Sequence, residues 1–183
     1  MKGIVFSEFL EMVEDRFSPE VADRILSRSE LKQADGSFTR VGTYHHGDLV
    51  SLVISLSQES GVDVPDLIKA FGQYLFGRFV AEYPAQFEGI ASATDFLKRV
   101  HDYVHVDVKK LYPDAELPAF AWENGEDRPF TLIYTSSRPF ADLAEGLIQG
   151  CIEHYGESYT IEREDLNPDG SAARFSLVPA GVA

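Results

Sequence analysis

At 183 residues, with 44% apolar and 12% aromatic side chains, the chain is long enough for one substantial core and too apolar for disorder. A formal charge of −14 and a pI near 4.6 exclude a nucleic-acid-binding surface, which phosphates would require to be basic. The apolar run Leu49–Gln58 is too short to cross a bilayer, the first residues carry no signal-peptide pattern, and the single cysteine, Cys151, permits no internal disulfide. A soluble, acidic, cytoplasmic domain without a membrane segment is expected.

In chain order, Val5, Phe9, Val13 and Phe17 recur at steps of four and predict a first helix over Lys2–Phe17. Ser18-Pro19-Glu20 starts a short second helix to Ser27, with Ser18 as its N-cap. Residues 28–44 are polar and read as loop. His46 or Asp48 opens a third helix through Leu49, Leu52, Val53 and Leu56, stopping near Gly61. His45 and His46 read as a helix-entry or surface pair. Asp63-Val64-Pro65 opens a fourth, with Leu67, Ile68, Phe71, Leu75 and Phe79 on one face. Thr94–Pro113 reads as one amphipathic helix. Beyond it, Phe120–Trp122 and Phe130–Tyr134 are short and β-prone, separated by a charged turn over Glu123–Arg128. Pro139 begins a helix through Leu143, Leu147, Ile148 and Cys151, and strands over Tyr159–Glu164 and Ala173–Val178 are joined by a turn at Asn167–Gly170. The fold class is α+β: a helical first half, then a four-stranded antiparallel sheet with one inserted helix.

The Thr94–Pro113 helix carries His101 and His105. On a wheel of about 100° per residue, His101 lies inside the apolar stripe with Leu97, Val104 and Val108, while His105 lies at its margin. Periodicity alone makes His101 the more buried. Two histidines four residues apart can share zinc, with Cys151 as a third ligand, yet no second ligand cluster accompanies them. The plainest alternative is a pair of satisfied helix histidines. Tyr134-Thr135-Ser136-Ser137-Arg138 follows a strand and precedes a helix. It can project a hydroxyl pair and a guanidinium from one side of an extended segment, a set suited to carboxylates.

Together these features resemble the haem–nitric oxide/oxygen binding family, related to the haem domain of soluble guanylate cyclase. The resemblance rests on Tyr134, Ser136 and Arg138 in a Y-x-S-x-R pattern. It rests also on Tyr112-Pro113 seven residues after His105, and on the stretches Met1–Phe17, Ile68–Phe79 and Ala144–Gly150, as in bacterial stand-alone members. It covers nearly the whole chain and moves the expected ligand from His101 to His105. It implies one non-enzymatic sensor domain over 1–183, with a helical lobe about 1–62, a sheet lobe about 63–183 and haem b (iron protoporphyrin IX) between them. His105 would be the axial iron ligand, and Tyr134, Ser136 and Arg138 would hold the haem propionates. Pro118 would press on the haem, and Val5, Phe71, Leu143 and Leu147 would line the distal side. Cys151 stands alone, so the zinc site of some relatives is not expected.

Oxygen-binding members of the family use distal hydrogen-bond donors; the aligned positions here are Leu143, Leu67 and Phe9, whose side chains donate nothing. Tyr74 and Tyr83 are the remaining candidates for a donor. The expected ligand is nitric oxide, with carbon monoxide, in preference to oxygen. The resemblance implies that nitric oxide weakens the iron–histidine bond and that the lobes then rotate. The signal would pass to a separate histidine kinase, or to a diguanylate cyclase or phosphodiesterase, since nothing after Val178 resembles an output domain. An oxygen sensor and a haem-free interaction module of the same fold are the alternatives.

Overall fold

The computed structural model describes residues 1–32, 36–125 and 128–181. Four helices come first: α1 (Gly3–Arg16), α2 (Pro19–Arg28), α3 (His46–Ser60) and α4 (Val64–Glu82). The starts of α2 and α3 follow from side chains that take up orphaned backbone donors. Ser18 Oγ accepts the Val21 N–H at 3.3 Å, and His45 Nδ1 accepts the Gly47 N–H at 3.0 Å. His45 therefore caps α3, the helix-entry role its position suggested. The helix ends at Gly61, whose left-handed φ of 74° suits glycine.

The segment expected as one helix over Thr94–Pro113 is three pieces in continuous succession. It comprises α5 (Ala93–Arg99), a π turn (Val100–Val104) and α6 (His105–Leu111). The His105 N–H donates to the Val100 carbonyl, five residues back. One extra residue in that turn offsets the flanking α segments by about 100°, one residue's rotation, so a uniform wheel misplaces one half against the other.

Four strands follow, β1 (Ala119–Gly125), β2 (Arg128–Thr135), β3 (Tyr159–Asp165) and β4 (Ala172–Pro179), with α7 (Ala141–His154) inserted after β2. They form one antiparallel sheet in the order β1-β2-β4-β3. The turn at Asn167–Gly170 joins β3 to β4 as read, with Gly170 at φ 74°. Strand β1 runs to Gly125, so the expected charged turn is shorter, and its residues 126–127 lie outside the described residues. Helix α7 starts at Ala141, two residues past Pro139, because Phe140 takes the N-cap position and turns its ring into the core. Among the described residues, no helix is long and apolar enough to cross a membrane.

Two apolar clusters fill the interior. One gathers Phe6, Phe9, Leu52, Leu56, Leu67 and Phe71 from α1, α3 and α4. The other gathers Phe76, Phe96, Leu132, Ile148 and Phe175 between α4, α5, α7 and the sheet. Helices α4 and α7 cross backbone to backbone between them. A Cβ on Gly72 would lie 2.6 Å from the Leu143 carbonyl oxygen, and one on Gly146 would strike the Lys69 carbonyl.

Gly146→Ala should therefore destabilise the protein by about 2–3 kcal/mol, the cost of overpacking, and lower the melting temperature by several degrees. Gly77→Ala, also within α4 but with open space at its Cβ, should raise stability by about 0.5–1 kcal/mol. Thermal denaturation of the pair checks both signs; equal effects would show that the crossing is not the tight point.

Candidate functional site

His105 opens α6 and is half-buried, with Nδ1 shut away from solvent. Its ring centroid lies 5.6 Å from Phe120 on β1, which lies 5.7 Å from Tyr134 on β2. Phe120 and Tyr134 are direct cross-strand partners. The sheet register thus places His105 and the Tyr-Ser-Arg motif along one wall. The side chain of His101 lies outside the described residues, so the deeper burial expected of it is not described. The π turn that contains it removes the basis for that expectation.

The motif itself is folded more tightly than an extended segment. Tyr134 is buried, and its hydroxyl donates to the Arg138 carbonyl at 3.3 Å. Burial pushes that phenol above its usual pKa. Ser136 Oγ accepts the Arg138 N–H at 3.1 Å. Tyr134 and Ser136 therefore bind the backbone of Arg138, where three parallel side chains were expected. The guanidinium is what remains to be offered. Its side chain is 14% exposed and reaches Glu116, with Nη1 donating to the backbone carbonyl at 3.2 Å and Nη2 to Oε2 at 2.6 Å. One carboxylate oxygen of Glu116 and its backbone carbonyl thus occupy the outer edge of the Arg138 guanidinium.

Phe71 is fully buried, and Val5, Leu143 and Leu147 are partly buried against the same cluster, beside Phe9 and Leu67. Leu147 belongs to both clusters. Pro118 is half-buried immediately before β1, two residues past Glu116. The buried polar side chains among the described residues are each engaged. Glu8 pairs with Arg40 and Arg78, Asp48 accepts the Lys32 N–H, Ser55 bonds Ser29, and Thr131 bonds Ser176. The Tyr74 hydroxyl donates to Asp15 at 2.9 Å, its pKa pushed up to about 12 by burial and that bond, and Tyr83 is 39% exposed. Neither supplies a donor to the apolar cluster from the positions they hold.

The described residues contain no group of three or more metal-ligating side chains. Cys151 is buried with its thiol directed at the Ala93 carbonyl, and burial holds it protonated. Sequence reading missed the π turn, Phe120 and Glu116. The alternation of β1 could have placed Phe120; nothing in the order of residues announces Glu116.

A half-buried imidazole, an inward guanidinium able to hold a carboxylate and a contiguous apolar wall fit a flat, apolar dicarboxylate whose metal accepts nitrogen. The chain matches the haem–NO-binding family over residues 2–163. It is 34% identical to an H-NOX protein from K. algicida solved as Fe(II) unliganded, covering 100% of this chain and 99% of that one with a TM-score of 0.90. It is 38% identical to the H-NOX from Shewanella woodyi solved with IWP-051 in the Fe(II)CO state, covering 98% and 95% with a TM-score of 0.82. A third similar structure is the Fe(II)NO state of an H-NOX protein from S. oneidensis, at 25% identity, 99% and 100% coverage and a TM-score of 0.89. A search of curated proteins gave no match. From the match over most of its length and the shared α+β architecture, the chain belongs to the haem–NO-binding family of gas-sensor domains.

Proposed function

We propose that this domain binds haem b, takes nitric oxide at ferrous haem in preference to oxygen, and reports that state to a separate signalling protein. The observation that carries the reading is the shared wall of His105, Phe120 and Tyr134, running from an imidazole to the arginine motif along the apolar cluster of the sheet. His105, with Nδ1 already shut away, coordinates through Nε2. Arg138, fixed by Tyr134 and Ser136 through its backbone, holds the propionate side. Pro118 borders the site, and Val5, Phe71, Leu143 and Leu147 form its distal wall. Once bound, ferrous haem supplies the open coordination position for nitric oxide or carbon monoxide, the ligands named for solved relatives.

The preference for nitric oxide follows from the wall. Bound oxygen carries partial negative charge and gains about 1.5–3 kcal/mol from a donor, one to two decades in affinity. Leu143, Leu67 and Phe9 withhold that gain, and nitric oxide does not need it.

Transmission follows from what α6 is tied to. Past Leu111, Asp114 is held by Lys2 Nζ at 2.9 Å and by the Thr43 hydroxyl at 2.9 Å, while Lys2 sits 4.9 Å from the Tyr112 ring. A change in the pull on His105 therefore reaches residues 1–44 through one short path. A partner that distinguishes the two arrangements completes the switch. A histidine kinase, or a diguanylate cyclase or phosphodiesterase, is the class of partner the family resemblance favours, and the −14 charge suits a basic docking patch.

Purified protein should show a Soret band that shifts with nitric oxide; correctly folded, colourless protein would sink the reading. His105→Gly should lose histidine ligation in the ferrous unliganded state and regain it with added imidazole, and an unchanged spectrum would remove His105 from the iron. Arg138→Ala should speed haem loss by about 10- to 100-fold, the value of a charge-assisted hydrogen bond. Leu143→Tyr should raise oxygen affinity by about one to two decades, measured as stable oxygen binding in air. No gain there would mean that a missing donor is not what disfavours oxygen.

A further inference from the structure

Arg138 is held by a carboxylate of its own chain, and the pairing is lopsided. The arginine side chain is 14% exposed and the Glu116 side chain 70% exposed, yet they meet at 2.6 Å. A solvated carboxylate has turned inward onto a nearly buried guanidinium. The backbone places it there. Glu116 lies in the loop 112–118, whose Asp114 is fastened to Lys2 and Thr43, and whose carbonyl at Glu116 accepts a second bond from the same guanidinium. The Met1 ammonium stands in the same field, its pKa lowered by burial first and by Arg138 next, with Glu116 acting in the opposite sense. This is a cationic corner in a chain of net charge −14, and its own acid sits in it.

We propose that Glu116 is an internal competitor for the propionate-binding edge of Arg138, so that its charge weakens haem retention. The proposal rests on the reading of Arg138 as the propionate residue. Glu116 takes Nη2 with one carboxylate oxygen and Nη1 with its backbone carbonyl, so the outer fork of the guanidinium, which would otherwise grip a carboxylate, is occupied. A second carboxylate arriving at that fork must displace the first or share with it at close range, where like charges repel. Because Glu116 is largely solvated, its own bond to Arg138 is worth no more than an exposed ion pair and yields. The Glu116 carbonyl contact does not depend on the side chain and keeps the guanidinium aimed.

The test is haem transfer to excess apomyoglobin from the haem-loaded protein, comparing wild type, Glu116→Gln, Arg138→Ala and the double variant. Each is loaded with haem or with haem dimethyl ester, which carries no free carboxylates. Glu116→Gln should slow loss of haem by roughly three- to fivefold, the scale of an exposed ion pair. It should leave loss of the dimethyl ester unchanged and have no effect in the Arg138→Ala background. Unchanged or faster haem loss in Glu116→Gln overturns the proposal and makes Glu116 a support for Arg138. Equal slowing with the ester or without Arg138 overturns it too, because Glu116 would then act on something other than a propionate at Arg138. If Arg138→Ala alone leaves haem loss unchanged, the propionate reading fails and takes the proposal with it. If Arg138→Ala speeds loss while Glu116→Gln does not slow it, only the proposal fails.

Discussion

The close crossing of α4 and α7 is the constraint on which the remaining architecture depends. Two helices normally pack about 8–10 Å apart because side chains fill the gap. Gly72, Gly146 and Gly150 remove those side chains where Leu143, Lys69 and Phe76 approach. The pair becomes a thin partition. One side carries Leu67, Ile68 and Phe71 into the first cluster, and the other carries Phe76, Ala144 and Ile148 into the second. A thicker partition would push Leu143 and Leu147 out of reach of Phe71 or would separate α7 from the sheet. The proposed distal wall thus depends on glycines that supply none of its side chains.

The packing of α1 on α4 adds charge to the apolar contact of Phe9 with Phe71. Glu8 is 1% exposed, and Arg40 and Arg78 each approach it at 2.6 Å, with Glu82 bonded to Arg40 on the far side. A buried carboxylate is costly unless its oxygens are all occupied, and here two guanidiniums from different segments occupy them. Such a joint is specific in direction and intolerant of a missing partner, whereas apolar contact slides. The latch from Lys2 and Thr43 to Asp114 has the same character, though it is more exposed. Ionic fastenings at two points, with apolar packing between, fix the direction in which the first residues sit on α4 and on the loop after α6.

Local rules were legible in the chain and distant ones were not. Ser18, His45, Gly61 and the Asn167–Gly170 turn act on neighbours within a few positions, and each does in the structure what its residue type dictates. The helix faces of α1 and α4 and the four strands followed from periodicity, which is also local. The π turn escaped because a wheel assumes uniform rotation, while Val100 and Val104 in the turn pack against the sheet cluster contributed by distant segments. The Glu8 network joins positions 8, 40 and 78, and the Arg138 contact joins 116 and 138. Nothing in the intervening sequence ties those positions together. The Tyr-Ser-Arg spacing suggests three side chains on one side of an extended segment, but β2 ends at Thr135 and the chain turns. The residues were the right ones, and their division of labour was hidden until the turn was seen.

That division of labour bears on why the site tolerates an acidic protein. Tyr134 and Ser136 spend their hydroxyls on the Arg138 backbone, so in the proposed site the arginine alone would meet the anion. A single well-fixed guanidinium can hold a dicarboxylate against a net charge of −14 because screening removes distant charges within about 10 Å and leaves near ones in force. The near charge that matters is then Glu116. It sits on the loop that leaves the His105 helix, so any shift of that helix moves a negative charge relative to Arg138. His105 and Arg138, the proposed metal and carboxylate sides, are in this way joined by the loop from Tyr112 to Pro118, as well as by the ring contacts of Phe120. In the proposed site a displacement that begins at the imidazole would therefore reach the guanidinium without crossing the apolar wall.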